Sequence, residues 1–407
     1  MKLARRAAPL AFLALFTACG WLSPPRSRAE GPFPEPFCDK TAYQYFEDEG
    51  IRVGWNIGNT LDAWNSTGSA EDVNWGNPRV CQALLDGVKE AGFNLVRVPI
   101  TWKGHIGPAP DYLISERFLR RVAEVIAYAR DAGLKVIINL HHDGSTQGGG
   151  RDNGWLSIGE AANSKEGYGK VYAEFSQVWA QISAYFRDYG DYLIFEAFNE
   201  LHDGAWGWGD EAKQRLQYPI INELNQLFTD TVRDSGGNNG KRYLIVTGYS
   251  AAAKHTLANY FTLPVDRIPD RQIVSFHYYD PYEFGIAGTR ADWGTNADRL
   301  KLDIDFAPFK KAFIDRKIPV IIGESGAVRQ LYPGDEAKTE LARAARLHYL
   351  ACVYEKSVEY GLIPVYWDNG ATAGTGEKFG LFDRSSGKPN SEESAALIRA
   401  MIDAVKI

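Results

Sequence analysis

The sequence predicts one (β/α)8 barrel across residues 38–407, and three observations lead there. Eight short runs rich in β-branched and aromatic residues recur along the chain. Amphipathic helical stretches separate most of them, and several end in Gly just before the next run, as a helix C-terminus should. The glycine-rich phosphate fingerprint of a doubly wound nucleotide fold is missing after the first run. Apolar strands alternating with helices imply a parallel sheet covered on its outer face, and eight such units close a barrel.

In chain order the runs are RVGWNIGN (52–59), FNLVRVPI (93–100), KVIINLHH (135–142), YLIFEAFNE (192–200), RYLIVTGY (242–249), QIVSFHYY (272–279), PVIIGES (319–325) and LIPVYWDN (362–369). Helical patterning is plainest in VCQALLDGVKEAG (80–92), RFLRRVAEVIAYARDAG (117–133) and YAEFSQVWAQISAYFRDYG (172–190). At 407 residues the chain has room for two average domains, but a single barrel of about 250 to over 400 residues also accounts for it. No linker composition or repeat divides residues 38–407.

Ahead of the barrel, Lys2, Arg5 and Arg6 precede the apolar stretch Leu10 to Phe16, the pattern of an export signal over residues 1–18. The stretch is too short to span a bilayer, which takes roughly 20 apolar residues. Thr17-Ala18-Cys19-Gly20 resembles a bacterial lipobox, with Phe16 departing from the usual aliphatic residue. A lipid anchor on Cys19 is therefore expected, with plain secretion the alternative. Residues 19–37 carry five prolines and read as an extended tether. Beyond Cys19 lie Cys38, Cys81 and Cys352; export permits a Cys38–Cys81 disulfide, and buried free thiols are the competing reading.

Composition narrows the partners. The formal charge is −6 and no Lys/Arg run interleaves with aromatics, which argues against nucleic acid. Aromatic residues make up 13% of the chain, with 11 Trp, which suggests a surface on which flat apolar rings bind. With no coiled-coil heptads, a monomer is expected.

On a barrel the chemistry gathers at the C-terminal mouths of the strands. Asn59, Arg97, His141, His142, Asn199, Glu200, His277, Tyr279, Glu324 and Trp367 all fall there. Glu200 ends the fourth run and Glu324 the seventh, so the two carboxyls should face each other across the mouth. Displacement at an acetal carbon with retention needs two carboxyls about 5–5.5 Å apart, one to protonate the leaving oxygen and one to attack. The apolar FEAF before Glu200 favours a raised pKa, as a general acid requires. Asn199 is placed to bond a sugar 2-hydroxyl, and Arg97 and Tyr279 should keep Glu324 ionised as a nucleophile.

The segments GWNIGNTLDAW (54–64), LVRVPITW (95–102), INLHHDG (138–144), FEAFNE (195–200), SFHYYDPYEF (275–284), IGESGA (322–327) and YWDNG (366–370) together resemble glycoside hydrolase family 5, in that family's order. The later segments look most like its bacterial endoglucanase and xyloglucanase branch. The resemblance implies Glu200 as acid/base and Glu324 as nucleophile, with Arg97, His141, Asn199, His277, Tyr279 and Trp367 completing the pocket and Asn59 and His142 beside it. It implies no metal or organic cofactor. The expected activity is endo-hydrolysis of a β-1,4-glucan, with xyloglucan, mixed-linkage glucan or mannan as alternative substrates and a non-catalytic carbohydrate binder as the competing class.

Other residues carry competing readings. His141-His142-Asp143 has metal-ligand chemistry, yet neighbours on a strand point to opposite sides, so a sugar-bonding role is favoured. Trp64, Trp155, Trp206 and Trp208 fall in βα loops, where they either stack on sugars or simply pack; Trp206 and Trp208 are the preferred platforms. Asp203 and Asp210 offer oxygens to Ca²⁺, but without a recognised loop pattern.

Overall fold

The computed structural model describes residues 34–65, 72–144, 154–202, 215–374 and 377–406. Eight strands close into a barrel in sequence order. They are β1 (Gly54–Ile57), β2 (Leu95–Val98), β3 (Lys135–Ile138), β4 (Leu193–Glu196), β5 (Leu244–Ala252), β6 (Gln272–Tyr278), β7 (Val320–Ser325) and β8 (Leu362–Asp368). Every pairing is parallel, including the closing one between β1 and β8. Each strand falls on one of the eight runs, though most are shorter and β5 continues three residues further.

Around the sheet lie α2 (Gln82–Glu90), α3 (Glu116–Asp131), α4 (Ile158–Asn163), α5 (Lys165–Tyr185), α6 (Tyr218–Asp234), α7 (Ala253–Thr256), α8 (Tyr282–Gly285), α9 (Asn296–Ala312), α10 (Glu336–Glu359) and α11 (Glu392–Ala404), with α1 (Ala42–Asp48) preceding β1. Strand alternation sorts the core into two parts. Val96, Val98, Val136, Ile138, Leu193, Phe195, Val274, Phe276, Val320 and Ile322 face outward and pack with the helices. Leu95, Ile137, Ile194, Ile245, Ile273, Ile321 and Ile363 face the lumen and fill its lower half. Each such aliphatic side chain contributes roughly 1.5–3 kcal/mol on burial.

The lower end is sealed by α1. Thr41 caps it, accepting from the Gln44 amide while Gln44 bonds back to Thr41. The helix presses Ala42, Tyr45 and Phe46 into the floor, where Tyr45 stacks on Tyr243 at 4.6 Å. With the floor closed by these side chains, the charged lumen residues Arg97, Glu196 and Glu324 lie higher up, toward the mouth.

Of the two readings left open for Cys38 and Cys81, the structure shows free thiols, because the two residues belong to opposite ends of the barrel. Cys38 sits at the floor, its Sγ 3.2 Å from the Tyr243 hydroxyl and its amide bonded to Asp191. Cys81 caps α2 after the β1 loop and lies against the Arg384 and Ser385 carbonyls. Cys38, Cys81 and Cys352 are all free thiols.

Candidate active site

Arg97 is the keystone of the upper lumen. Alternation along β2 turns it inward above Leu95, and it is fully buried. Four of its N–H groups are met by four neighbours: Glu196 (Nε to Oε2, 2.7 Å), Asn56 (Nη1 to Oδ1, 3.1 Å), Glu324 (Nη1 to Oε1, 2.9 Å) and Asn199 (Nη2 to Oδ1, 2.8 Å). Burial pulls the guanidinium pKa down, but Glu196 and Glu324 outweigh it and the net shift is upward.

Glu324 reaches this site through an irregularity. Val320 and Ile322 face outward and Ile321 inward, so simple alternation would aim residue 324 at the helices. Between β6 and β7 the register steps from Phe276↔Ile322 to His277↔Glu324, leaving Gly323 as an extra residue. Such a bulge re-aims the next side chain, here into the lumen beside His277. Only glycine fits there: a Cβ at Gly323 would stand 2.6 Å from the Ser275 hydroxyl and 3.1 Å from His277 Nε2.

Both Glu324 oxygens are held. Oε1 accepts from Arg97, with His141 Nε2 at 3.9 Å; Oε2 accepts the Tyr279 hydroxyl at 2.9 Å, with His277 Nδ1 at 3.6 Å. Burial pushes the Glu324 carboxyl upward, and His277, Arg97 and Tyr279 pull it back against a further push from Glu200. Glu200 is more open, with 18% of its side chain exposed, and its Oε1 lies 2.5 Å from His277 Nδ1. Burial lowers the His277 pKa to about 4, against the opposing pull of Glu324. Oxygens of Glu200 and Glu324 come within 4.8 Å of each other. Carboxyls this close suit double displacement; inversion leaves room for a water and needs about 6.5–9.5 Å.

The rim is aromatic. Trp367 is buried on one edge, parallel to His141 with ring centroids 5.7 Å apart. Its indole lies against Gly58, where a Cβ would meet the ring at 2.7 Å. His142 sits 4.4 Å from His141, and the exposed Trp75 leans on it at 5.4 Å. The Trp75 indole N–H donates to the Trp64 carbonyl at 2.8 Å, which fixes the ring in place.

The structure thus joins Arg97, His141, Asn199, Glu200, His277, Tyr279, Glu324 and Trp367 in one pocket. Asn59 serves the turn above β1: it takes a left-handed φ of 55°, its amide donates to Asp62 and its carbonyl accepts from Asn77. Trp155 is a packing residue, half-buried with its N–H on Asp143 at 2.8 Å. Trp64 also packs against the core, beneath the Lys103 ammonium at 4.5 Å. Cys19, Asp203, Trp206, Trp208 and Asp210 lie outside the described residues.

Two expectations change. β3 ends at Ile138, so strand alternation no longer separates His141 from His142, and both rings converge with Asp62 within 4.8 Å. Asp143, expected beside them, turns away to accept from the Trp102 and Lys103 amides and from Trp155. The His141 hydrogen bonds nonetheless disfavour a cation here. Asn139 Oδ1 accepts from the Ile100 amide, so its Nδ2 faces His141 Nδ1, and the imidazole proton is assigned to Nε2, toward Glu324. The second change concerns FEAF, which is not uniformly apolar around Glu200. Glu196 lies in the lumen on Arg97 and Asn139. Asn56, Asn139, Glu196 and the rim residue Trp75 are site residues the sequence reading missed; the first three are polar residues at inward positions within or just past an otherwise apolar strand.

The chain matches the family described as Cellulase (glycosyl hydrolase family 5) over residues 55–373. It is 39% identical to Endoglucanase B of Clostridium cellulovorans over 358 residues, 86% of this chain and 73% of that protein. It is 34% identical to the xyloglucan-specific endo-β-1,4-glucanase BoGH5A of Bacteroides ovatus, over 86% of this chain and 68% of the other. Among solved structures, a broad-specificity endoglucanase from Bacteroides salanitronis superposes with a TM-score of 0.81 at 39% identity, covering 88% of this chain and 94% of that one. Likeness that runs from β1 past the end of β8 at such identity places this chain in glycoside hydrolase family 5.

Proposed function

We propose that the protein is a retaining endo-β-1,4-glucanase in which Glu324 is the nucleophile and Glu200 the acid/base. The observation that carries this reading is the pair of carboxyls within 4.8 Å, one doubly held and buried, the other half-open. Glu324 attacks the anomeric carbon while Glu200 gives its proton to the departing glycosidic oxygen. A covalent glycosyl-enzyme results. Glu200, now a carboxylate, takes a proton from water as that water attacks the same carbon, and Glu324 leaves with its electron pair. Arg97 and Tyr279 hold the nucleophile's two oxygens apart for in-line attack, and no metal or organic cofactor enters the reaction.

Azide tests the roles. Glu200→Ala and Glu324→Ala should each lose several orders of magnitude in rate, and azide should rescue them as β-azide and α-azide respectively. The same anomer from both variants overturns the assignment.

An unbranched β-1,4-glucan is the substrate we favour, supported by relatives named endoglucanases. Xyloglucan is the second reading, supported by the likeness to a xyloglucan-specific enzyme. Trp75, His142, His141 and Trp367 form a line of rings suited to pyranose faces. Product sizing on cellulose, mixed-linkage glucan, xyloglucan, mannan and xylan separates these, and monosaccharide released from the start would refute endo action.

We further propose export with a lipid anchor on Cys19 and a monomeric enzyme, on the sequence pattern alone. Replacement of Cys19 by Ala should release the protein from the membrane fraction; unchanged association refutes the anchor.

A further inference from the structure

Beneath the pocket lies a carboxylate that the proposed reaction does not use. Glu196 is 2% exposed, and Arg97 bridges it to Glu324. Its Oε2 accepts from Arg97 Nε at 2.7 Å and from Asn139 Nδ2 at 2.9 Å. Arg97 therefore serves two carboxylates at once, and the contact with Glu196 is the shorter. A guanidinium shared in this way neutralises neither partner fully. Asn139 extends the arrangement to His141, whose Nδ1 it meets at 3.3 Å while Nε2 faces Glu324.

We propose that Glu196 is a positioning residue for the reaction: through Arg97 it sets how much positive charge reaches Glu324, and through Asn139 it fixes which nitrogen of His141 faces the nucleophile. This rests on Glu324 being the nucleophile. A nucleophile paired one-to-one with a buried guanidinium is well ionised but weakly basic, and its attack is slowed accordingly. Glu196 takes part of that charge through the shorter of the two Arg97 contacts. The other charged or titratable groups facing Glu324 are His141 after β3, Glu200 after β4, His277 of β6 and Tyr279 just past it. Asn56 of β1 and Trp367 of β8 bring no charge.

The test is the pH dependence of kcat/KM on a soluble chromogenic cello-oligosaccharide, with two variants of opposite sign. Glu196→Gln keeps the shape and removes the charge; kcat should fall about tenfold or more while KM stays within about twofold. Its acid limb should move down by about one pH unit, because Arg97 then acts on Glu324 alone. Asn139→Asp adds a negative charge beside Glu196 and should move the same limb up. It also serves where Glu196→Gln does not fold. Acid limbs that coincide with the wild type in the folded variants overturn the proposal and leave Glu196 a structural ion-pair partner. Trapping with a 2-fluoro glycoside, followed by peptide mass analysis, separates the two levels. A label on a residue other than Glu324 refutes the catalytic assignment itself, whereas a label on Glu324 with unmoved limbs refutes only the role of Glu196.

Discussion

Replacing Tyr279 by Phe removes one oxygen and leaves the ring that meets Phe379 at 6.0 Å. In the native site the phenol donates to Glu324 Oε2 at 2.9 Å, and the nearest alternative donor, His277 Nδ1, stands 3.6 Å away and is held by Glu200. Glu324 is only 6% exposed, so water can replace that donor only in part. A hydrogen bond to a buried charge is worth about 1.5–3 kcal/mol. Divided by 1.36 kcal/mol per pKa unit, this raises the Glu324 pKa by roughly 1–2 units. The effect falls on the ionised ground state, because the carboxylate loses charge as it bonds to the anomeric carbon. The expected result is an acid limb of kcat/KM displaced upward by about 1–2 pH units, with a smaller change on the plateau. Rates on a chromogenic cello-oligosaccharide from pH 4 to 9, with circular dichroism to confirm the fold, provide the measurement. An unmoved or lowered limb refutes the reasoning, since Tyr279 would then contribute nothing to ionisation.

Three further outcomes follow from the geometry. Gly58→Ala drives a methyl to within 2.7 Å of the Trp367 ring; overpacking should cost about 1–3 kcal/mol of stability and KM for cello-oligosaccharides should rise about tenfold, and an unchanged KM in the folded variant would mean that Trp367 does not contact substrate. Asp368, fully buried, accepts from Trp55 Nε1, the Gly370 and Leu381 amides and Arg384 Nη2. Asp368→Ala should cost about 3–5 kcal/mol in urea unfolding by leaving the Arg384 charge uncompensated, and a loss below about 1 kcal/mol would contradict this. His255 is buried against Tyr260, and burial followed by Lys254 lowers its pKa to about 4. Its folded form excludes a proton that the unfolded chain binds below about 6.5, so the contribution is complete above that pH and is lost as pH falls toward 4. At most about 3 kcal/mol is involved, and His255→Gln should flatten the stability profile between those limits; an equally steep profile would place the titration elsewhere.

The barrel was legible because its signal is repetition: eight apolar runs with helices between them leave few other closures, and β1 to β8 fall on those runs. The two glutamates were legible because strand ends mark the mouth. Three kinds of feature were not. Asn56, Asn139 and Glu196 were hidden in runs read as whole strands, although counting inward from Leu95, Ile137 and Ile194 would have put Arg97, Asn139 and Glu196 in one layer. The step at Gly323 could not be counted at all, since a bulge is a relation between two strands. For His142 the error ran the other way: a rule for strands was extended four residues past the end of β3.

The closed floor has a topological consequence. Glu35 is tied to Asp188, Gly190 and Arg130, and α1 follows it directly beneath the strands. Whatever precedes residue 34 is therefore attached at the pole opposite the catalytic rim. The first described contacts of the chain thus lie on the side away from the cleft and leave the rim clear. A chain many times longer than the barrel is wide could then be laid across the cleft sideways and cut anywhere along its length.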